Sequence, residues 1–152
     1  MKKLLFLLLI APLFSVGQIT KQKKSTAVEV GTAKNFGVEI AQMNKIPGDP
    51  DYYFITYGNL KYQVLDKSES FGFKDVDGAF DFLYTSIVDG FKNKEDQTLN
   101  IDGGTLSIQY QMGSFRFYFI SSAGVDSWSG YITKKQFSTL FGKKYNKADF
   151  KK

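Results

Sequence analysis

Histidine and cysteine are absent from this 152-residue chain, and arginine occurs once, as Arg116. Without cysteine there are no disulfides, so a fold outside the cytosol has to be held together by its core. Without histidine there is no imidazole base, no Ser-His-Asp triad, no Cys-His dyad and no histidine-ligated metal. The catalytic and metal options that survive are carboxylate chemistry, a Ser-Lys pair, or an oxygen-only Ca²⁺ or Mg²⁺ site. One arginine also removes most bidentate contacts to guanine or phosphate, and nucleic acid is therefore not expected as a partner.

Long apolar runs are scarce as well, and the single one opens the chain. Lys2-Lys3 precede an unbroken run from Leu4 to Ala11, and Ser15-Val16-Gly17 place small residues three before and one before a cleavage point ahead of Gln18. This is the pattern of a secretory signal peptide over residues 1–17. About 13 apolar residues fall short of the roughly 20 that a spanning helix needs, so no transmembrane span is expected after cleavage between Gly17 and Gln18. The expected product is exported, to the periplasm or the medium. Loss of Lys2 and Lys3 leaves 18 basic residues against 15 acidic, a formal charge of +3.

What is abundant is aromatic side chain, 16% of all residues. The clearest pattern lies in Thr105 to Ser121. Leu106, Ile108, Tyr110 and Met112 alternate with polar residues, and after Gly113-Ser114 the series Phe115, Phe117, Phe119 alternates with Arg116, Tyr118, Ile120. Period two on both arms predicts a β-hairpin. A two-residue turn at Gly113-Ser114 would set Met112 opposite Phe115, Tyr110 opposite Phe117 and Ile108 opposite Phe119. The other face would then pair Gln111 with Arg116 and Gln109 with Tyr118.

The remaining elements follow from the same logic. Residues 18–34 read as a flexible polar leader and Asn35 to Met43 as a first strand, followed by a Pro-Gly-Asp loop from Asn44 to Asp51. Tyr53, Ile55 and Tyr57, a turn at Gly58-Asn59, and Leu60, Tyr62 and Val64 predict a second hairpin, with Phe71 to Phe73 as a short extra strand. Between Asp77 and Lys92 the period changes. Phe80, Leu83, Tyr84, Ile87, Val88 and Phe91 form one stripe of an amphipathic helix, capped by Asp75 or Asp77. Gln97 to Ile101 reads as a strand and Ser121 to Gly130 as a loop of small residues carrying Trp128, with a last strand at Tyr131 and Ile132. Thr133 and Gln136 form a capping box for a second helix that buries Phe137, Leu140 and Phe141 and ends at Gly142. Residues 143–152 read as a Lys-rich tail with Phe150 as an anchor.

The expected fold is therefore α+β: one domain over residues 35–142, with an antiparallel sheet of six to eight strands built on two hairpins and both helices packed against it. Strand, hairpin and helix recur in each half. Gly58 and Gly113 lie 55 residues apart, and the helix stripes 57 apart, a layout that a ββα-type internal duplication or any antiparallel sheet with two helices would give.

Chemistry is harder to find. Asp75-Val76-Asp77-Gly78 resembles the start of a calcium loop, but its fifth and twelfth positions are Ala79 and Ser86, so no metal is expected. No phosphate loop fits, because Asp102-Gly103-Gly104 leads into a strand. The expectation is a non-enzymatic binding module without a cofactor, recognising a protein or an envelope polysaccharide. Its candidate binding residues are Tyr118, Arg116, Gln109, Gln111 and Trp128, which combine flat apolar area with hydrogen-bonding groups. A second helix lying over that face would instead make Tyr118 and Ile120 core. Two other functions remain open: a small carboxylate-dependent hydrolase using Asp75, Asp77, Asp102 or Asp126, and a structural envelope component assembling through a sheet edge.

Overall fold

A computed structural model describes residues 26–61 and 67–151 of the chain; the expected signal peptide lies outside them. The architecture is α+β with antiparallel strands, but the strands divide between two sheets. Strands β1 (Val28–Asn35), β2 (Val38–Ile46), β3 (Tyr52–Gly58) and β4 (Ser68–Lys74) form the first sheet in chain order, and helix α1 (Ala79–Asn93) follows it. Strands β5 (Gln97–Ile101), β6 (Gly104–Gln111), β7 (Ser114–Ser121) and β8 (Asp126–Trp128) form the second sheet, also in chain order. The two-residue strand β9 (Ile132–Thr133) pairs with the start of β7 and leads into helix α2 (Lys134–Leu140).

The inner faces of both sheets and the two helices share one core. Phe71 of β4 meets Phe117 and Phe119 of β7 at ring-centroid distances of 5.1 and 5.8 Å. Tyr84 of α1 stacks on Phe137 of α2 at 4.9 Å, and Phe91 meets Phe115 edge-on at 5.5 Å. Each aromatic of this kind removes a large apolar area from water, worth about 1.5–3 kcal/mol per side chain on transfer alone. The amphipathic stripe of α1 is seated as its spacing requires, with Leu83, Ile87, Val88 and Phe91 buried. The Thr133 capping box on α2 is present too, and Gln136 Nε2 reaches the Lys34 carbonyl at 2.7 Å, which ties the helix to β1.

Several expectations are corrected. The central hairpin turns at Met112-Gly113, not Gly113-Ser114, so Gln111 faces Ser114, Tyr110 faces Phe115, Ile108 faces Phe117 and Leu106 faces Phe119. Met112 and Gly113 both have positive φ, 46° and 78°, the backbone of a type I′ turn, which matches the twist of the flanking strands. Because the pairing moves by two positions, the same residues stay on the core face; only Met112 leaves it for the exposed tip. On the outer face Gln109 now pairs with Arg116, and Ser107 with Tyr118.

The second hairpin differs more. Tyr57 faces Glu69, Ile55 faces Phe71 and Tyr53 faces Phe73, so β3 is answered by the Phe71–Phe73 stretch and not by the segment after Asn59. Leu60 is exposed, and residues 62–66 of the expected return strand lie outside the described ones. The pairing of β3 with β4 brings Phe71 to the rings of β7. The expected first strand is likewise cut in two: Asn35 ends β1, Phe36-Gly37 is a turn, and Val38 opens β2. The stretch read as a loose leader thus carries β1, and part of the small-residue loop carries β8. The tail is docked: Asn146 caps a 3-10 turn over Lys147–Phe150, and Phe150 is buried 5.5 Å from Phe91. Gly58 and Gly113 do not mark equivalent connections, since one ends the third strand of its sheet and the other joins the second strand to the third.

Candidate functional site on the outer face of the second sheet

Residues directly opposite each other in an antiparallel pair share a face. Core residues Leu106, Ile108, Phe115, Phe117 and Phe119 occupy one face of β6 and β7, which turns Ser107, Gln109, Arg116, Tyr118 and Ile120 to the other. Strand β8 continues the row by setting Trp128 beside Tyr118 and Asp126 beside Ile120. Helix α2 packs with β1 and β9 and does not cover this face. Tyr118 is half-buried and Ile120 is 38% exposed, so neither is the core residue that a covering helix would have made it.

Two groups of side chains divide the face. In the first, the Tyr118 and Trp128 rings lie 6.2 Å apart, stacked with 23° between their planes, and this pair is the aromatic platform of the face. Lys61, reaching over from the connection after β3, sits 5.9 Å from the Trp128 ring and pairs with Asp126. The Tyr118 hydroxyl donates to the other Asp126 oxygen at 3.4 Å. The Lys61 ammonium, hydrogen-bonded to Asp126, holds that carboxyl below the usual carboxylate range. In the second group, Arg116 Nε donates to Gln109 Oε1 at 2.9 Å, the guanidinium lies 5.6 Å from the Tyr131 ring centroid, and the Tyr131 hydroxyl donates to Gln111 Oε1.

All five expected site residues therefore stand on one face, with Tyr118 against Trp128 and Arg116 against Gln109. Gln111 stands at the far end and touches neither pair directly; Tyr131 links it to Arg116. Lys61 and Tyr131 were not among the expected residues, and Asp126 was expected only as a hydrolase carboxylate. A signal existed for Asp126, which sits two residues before Trp128 with Ser127 between them, as in an alternating strand. Lys61 had none, because it comes from the connection after β3, outside this sheet.

The carboxylates expected for hydrolysis are scattered. Asp75 caps α1 by accepting from Phe80 N at 2.9 Å, Asp77 precedes the helix at φ 54°, and Asp102 lies in the β5–β6 turn. Asp126 is the one on the candidate face, and its lysine partner favours the ionised form, the opposite of what a general acid requires. Among the described residues no three His, Cys, Asp or Glu side chains gather as a metal site, and no described helix is long and apolar enough to cross a membrane. A groove of about 590 Å³ lies elsewhere, between the start of α1 and β5, with Phe82 and Leu99 among its walls. Tyr52 and Phe54 make a second outward aromatic pair, on the first sheet, with centroids 6.5 Å apart. No family model matches this chain, and neither a curated protein nor a solved structure does.

Proposed function

We propose that the protein is an exported, non-enzymatic binding module that recognises a protein or an envelope polymer through the outer face of β6, β7 and β8. The observation that carries this reading is the half-exposed Tyr118–Trp128 pair, with Arg116 held by Gln109 and Tyr131 on the same face. Aromatic rings and an arginine, surrounded by side chains that hydrogen-bond, are the groups that dominate recognition surfaces. Export rests on the pattern of residues 1–17, and no cofactor is invoked. Affinity capture tests the reading, with the tagged protein as bait against envelope extract and spent medium. A specific component should be retained by the wild type and lost by a Tyr118→Ala/Trp128→Ala variant of unchanged thermal midpoint. Equal retention by both would remove this face from consideration.

One observation favours a second reading, a structural component that assembles through strand pairing. Strand β5 is the terminal strand of its sheet and leaves one edge unpaired among the described residues. Sedimentation across a hundredfold range of concentration decides it, because edge assembly requires a mass that grows with concentration. The first half is a four-stranded antiparallel meander followed by a helix, and the second repeats that order with one short extra strand, β9, before its helix, which supports the further reading that one half arose by duplication of the other.

A further inference from the structure

Arg116 is the only arginine of the chain, and it is held in place without being neutralised. Gln109 engages its Nε and Tyr131 lies against its plane. Among the described residues no carboxylate pairs with it, and its two terminal nitrogens have no acceptor. Gln109 and Gln111 each commit a carbonyl oxygen to a neighbour, which leaves both side-chain amide N–H₂ groups without an acceptor among the same residues. This end of the face therefore offers donors and one fixed positive charge. A planar guanidinium with its outer pair of nitrogens free fits a carboxylate in bidentate fashion.

The rest of the face says what should carry that carboxylate. Tyr118 follows Arg116 by two residues on the same side of β7, about 7 Å along the strand. A ligand that meets both thus places a flat, weakly polar surface one ring's width from its negative charge. The backbone of β7 is paired on both sides at Tyr118, to β6 and to β8, so a peptide strand has no hydrogen bonds to gain there. Recognition on this face runs through side chains alone. That suits a saccharide, whose ring face stacks on aromatics and whose hydroxyls accept from amides.

We propose that the face binds an acidic polysaccharide bearing uronate residues, with a sugar ring on the Tyr118–Trp128 platform and its carboxylate on the terminal nitrogens of Arg116. The proposal rests on the binding-module reading above and specifies its ligand. Trp128 is the only tryptophan, so its emission reports directly on the platform. Oligogalacturonate titrated into the full-length exported protein should change that emission saturably, with calorimetry confirming the affinity. Arg116→Gln should weaken binding at least tenfold, Arg116→Lys should restore little of it, and added salt should weaken the wild type more than Arg116→Gln. The fully methyl-esterified oligomer should bind at least tenfold more weakly than the acid.

Equal affinity for acid and ester, or no effect of Arg116→Gln, would overturn the proposal. So would failure of oligogalacturonate to bind while the Tyr118→Ala/Trp128→Ala variant loses a captured protein; the binding-module reading would then stand without its saccharide. Loss of nothing in that variant would defeat both.

Discussion

At the scale of single residues, the sharpest test of the packing is Gly90. Glycine inside a helix costs about 1 kcal/mol relative to alanine, so propensity alone says that Gly90→Ala should stabilise α1. The structure says otherwise. A Cβ at Gly90 would lie 2.2 Å from the ring of Tyr110, whose hydroxyl donates to the Ile87 carbonyl at 2.9 Å. Moving the ring breaks that bond and disturbs its 5.3 Å contact with Phe91. Overpacking of this kind costs about 1–3 kcal/mol and the lost hydrogen bond about 1 kcal/mol more, which against the helix gain of about 1 kcal/mol leaves Gly90→Ala destabilised by about 1–3 kcal/mol. Urea unfolding with an unchanged m value measures it, and a rise in midpoint would contradict the contact. Nothing in the local sequence announces this clash, because Gly90 and Tyr110 meet only through the tertiary fold. The candidate site divides the same way. Gln109, Arg116 and Tyr118 were legible from strand alternation, whereas Lys61 arrives from the connection after β3 and Tyr131 from a segment expected to be strand.

At the scale of elements, legibility depended on whether a pattern had one solution or two. The stripe of α1 and the capping box of α2 each specify a single arrangement, and both are present. Tyr53, Ile55 and Tyr57 specify a strand but not its partner, since two later stretches offer period-two apolar residues. The choice was made by Phe71 against Phe117, a contact between sheets that no local rule contains. The central hairpin failed by one residue at the turn for a related reason. Glycine can serve either central position, and only the positive φ at both Met112 and Gly113 identifies the type I′ geometry. That geometry favours Asn at its first central position, and Met112 is almost fully exposed. Met112→Asn should therefore stabilise the protein by about 0.5–1 kcal/mol, visible as a higher urea midpoint. Met112→Val, which resists positive φ, should lower it. If both substitutions were neutral, the turn would not be where the backbone places it.

At the scale of the whole molecule, the missing histidine and cysteine set the pH behaviour. No side chain has an ordinary pKa between the carboxylates and the tyrosines and lysines. Tyrosines carry the alkaline limb. Burial pushes Tyr57 from 10.0 up to about 12, against a smaller opposing effect of its hydrogen bond with Ser127, and burial also raises Tyr53, Tyr84 and Tyr110. A pKa higher in the folded state than in the unfolded one means that the folded protein holds the proton more tightly. The associated stability is complete below the unfolded value and is lost as pH rises through the folded one. On the acid side the signs reverse. Lys45 and Lys61 lower Asp51 and Asp126, so those contributions are present above the unfolded value of 3.8 and fade as pH falls through the folded values. Both pairs sit partly in solvent, where salt screens them, so the acid limb should be shallow and flatten in high salt. Thermal midpoints in buffers of matched ionic strength should be level from about pH 6 to 9 and fall steeply above about pH 10. Tyr57→Phe should start lower at neutral pH, because Ser127 loses its buried partner, and then decline less steeply between about pH 10 and 12. A wild-type transition centred near neutrality, or a Tyr57→Phe alkaline limb as steep as the wild type's, would refute this assignment of buried tyrosines as the groups that limit the fold at high pH.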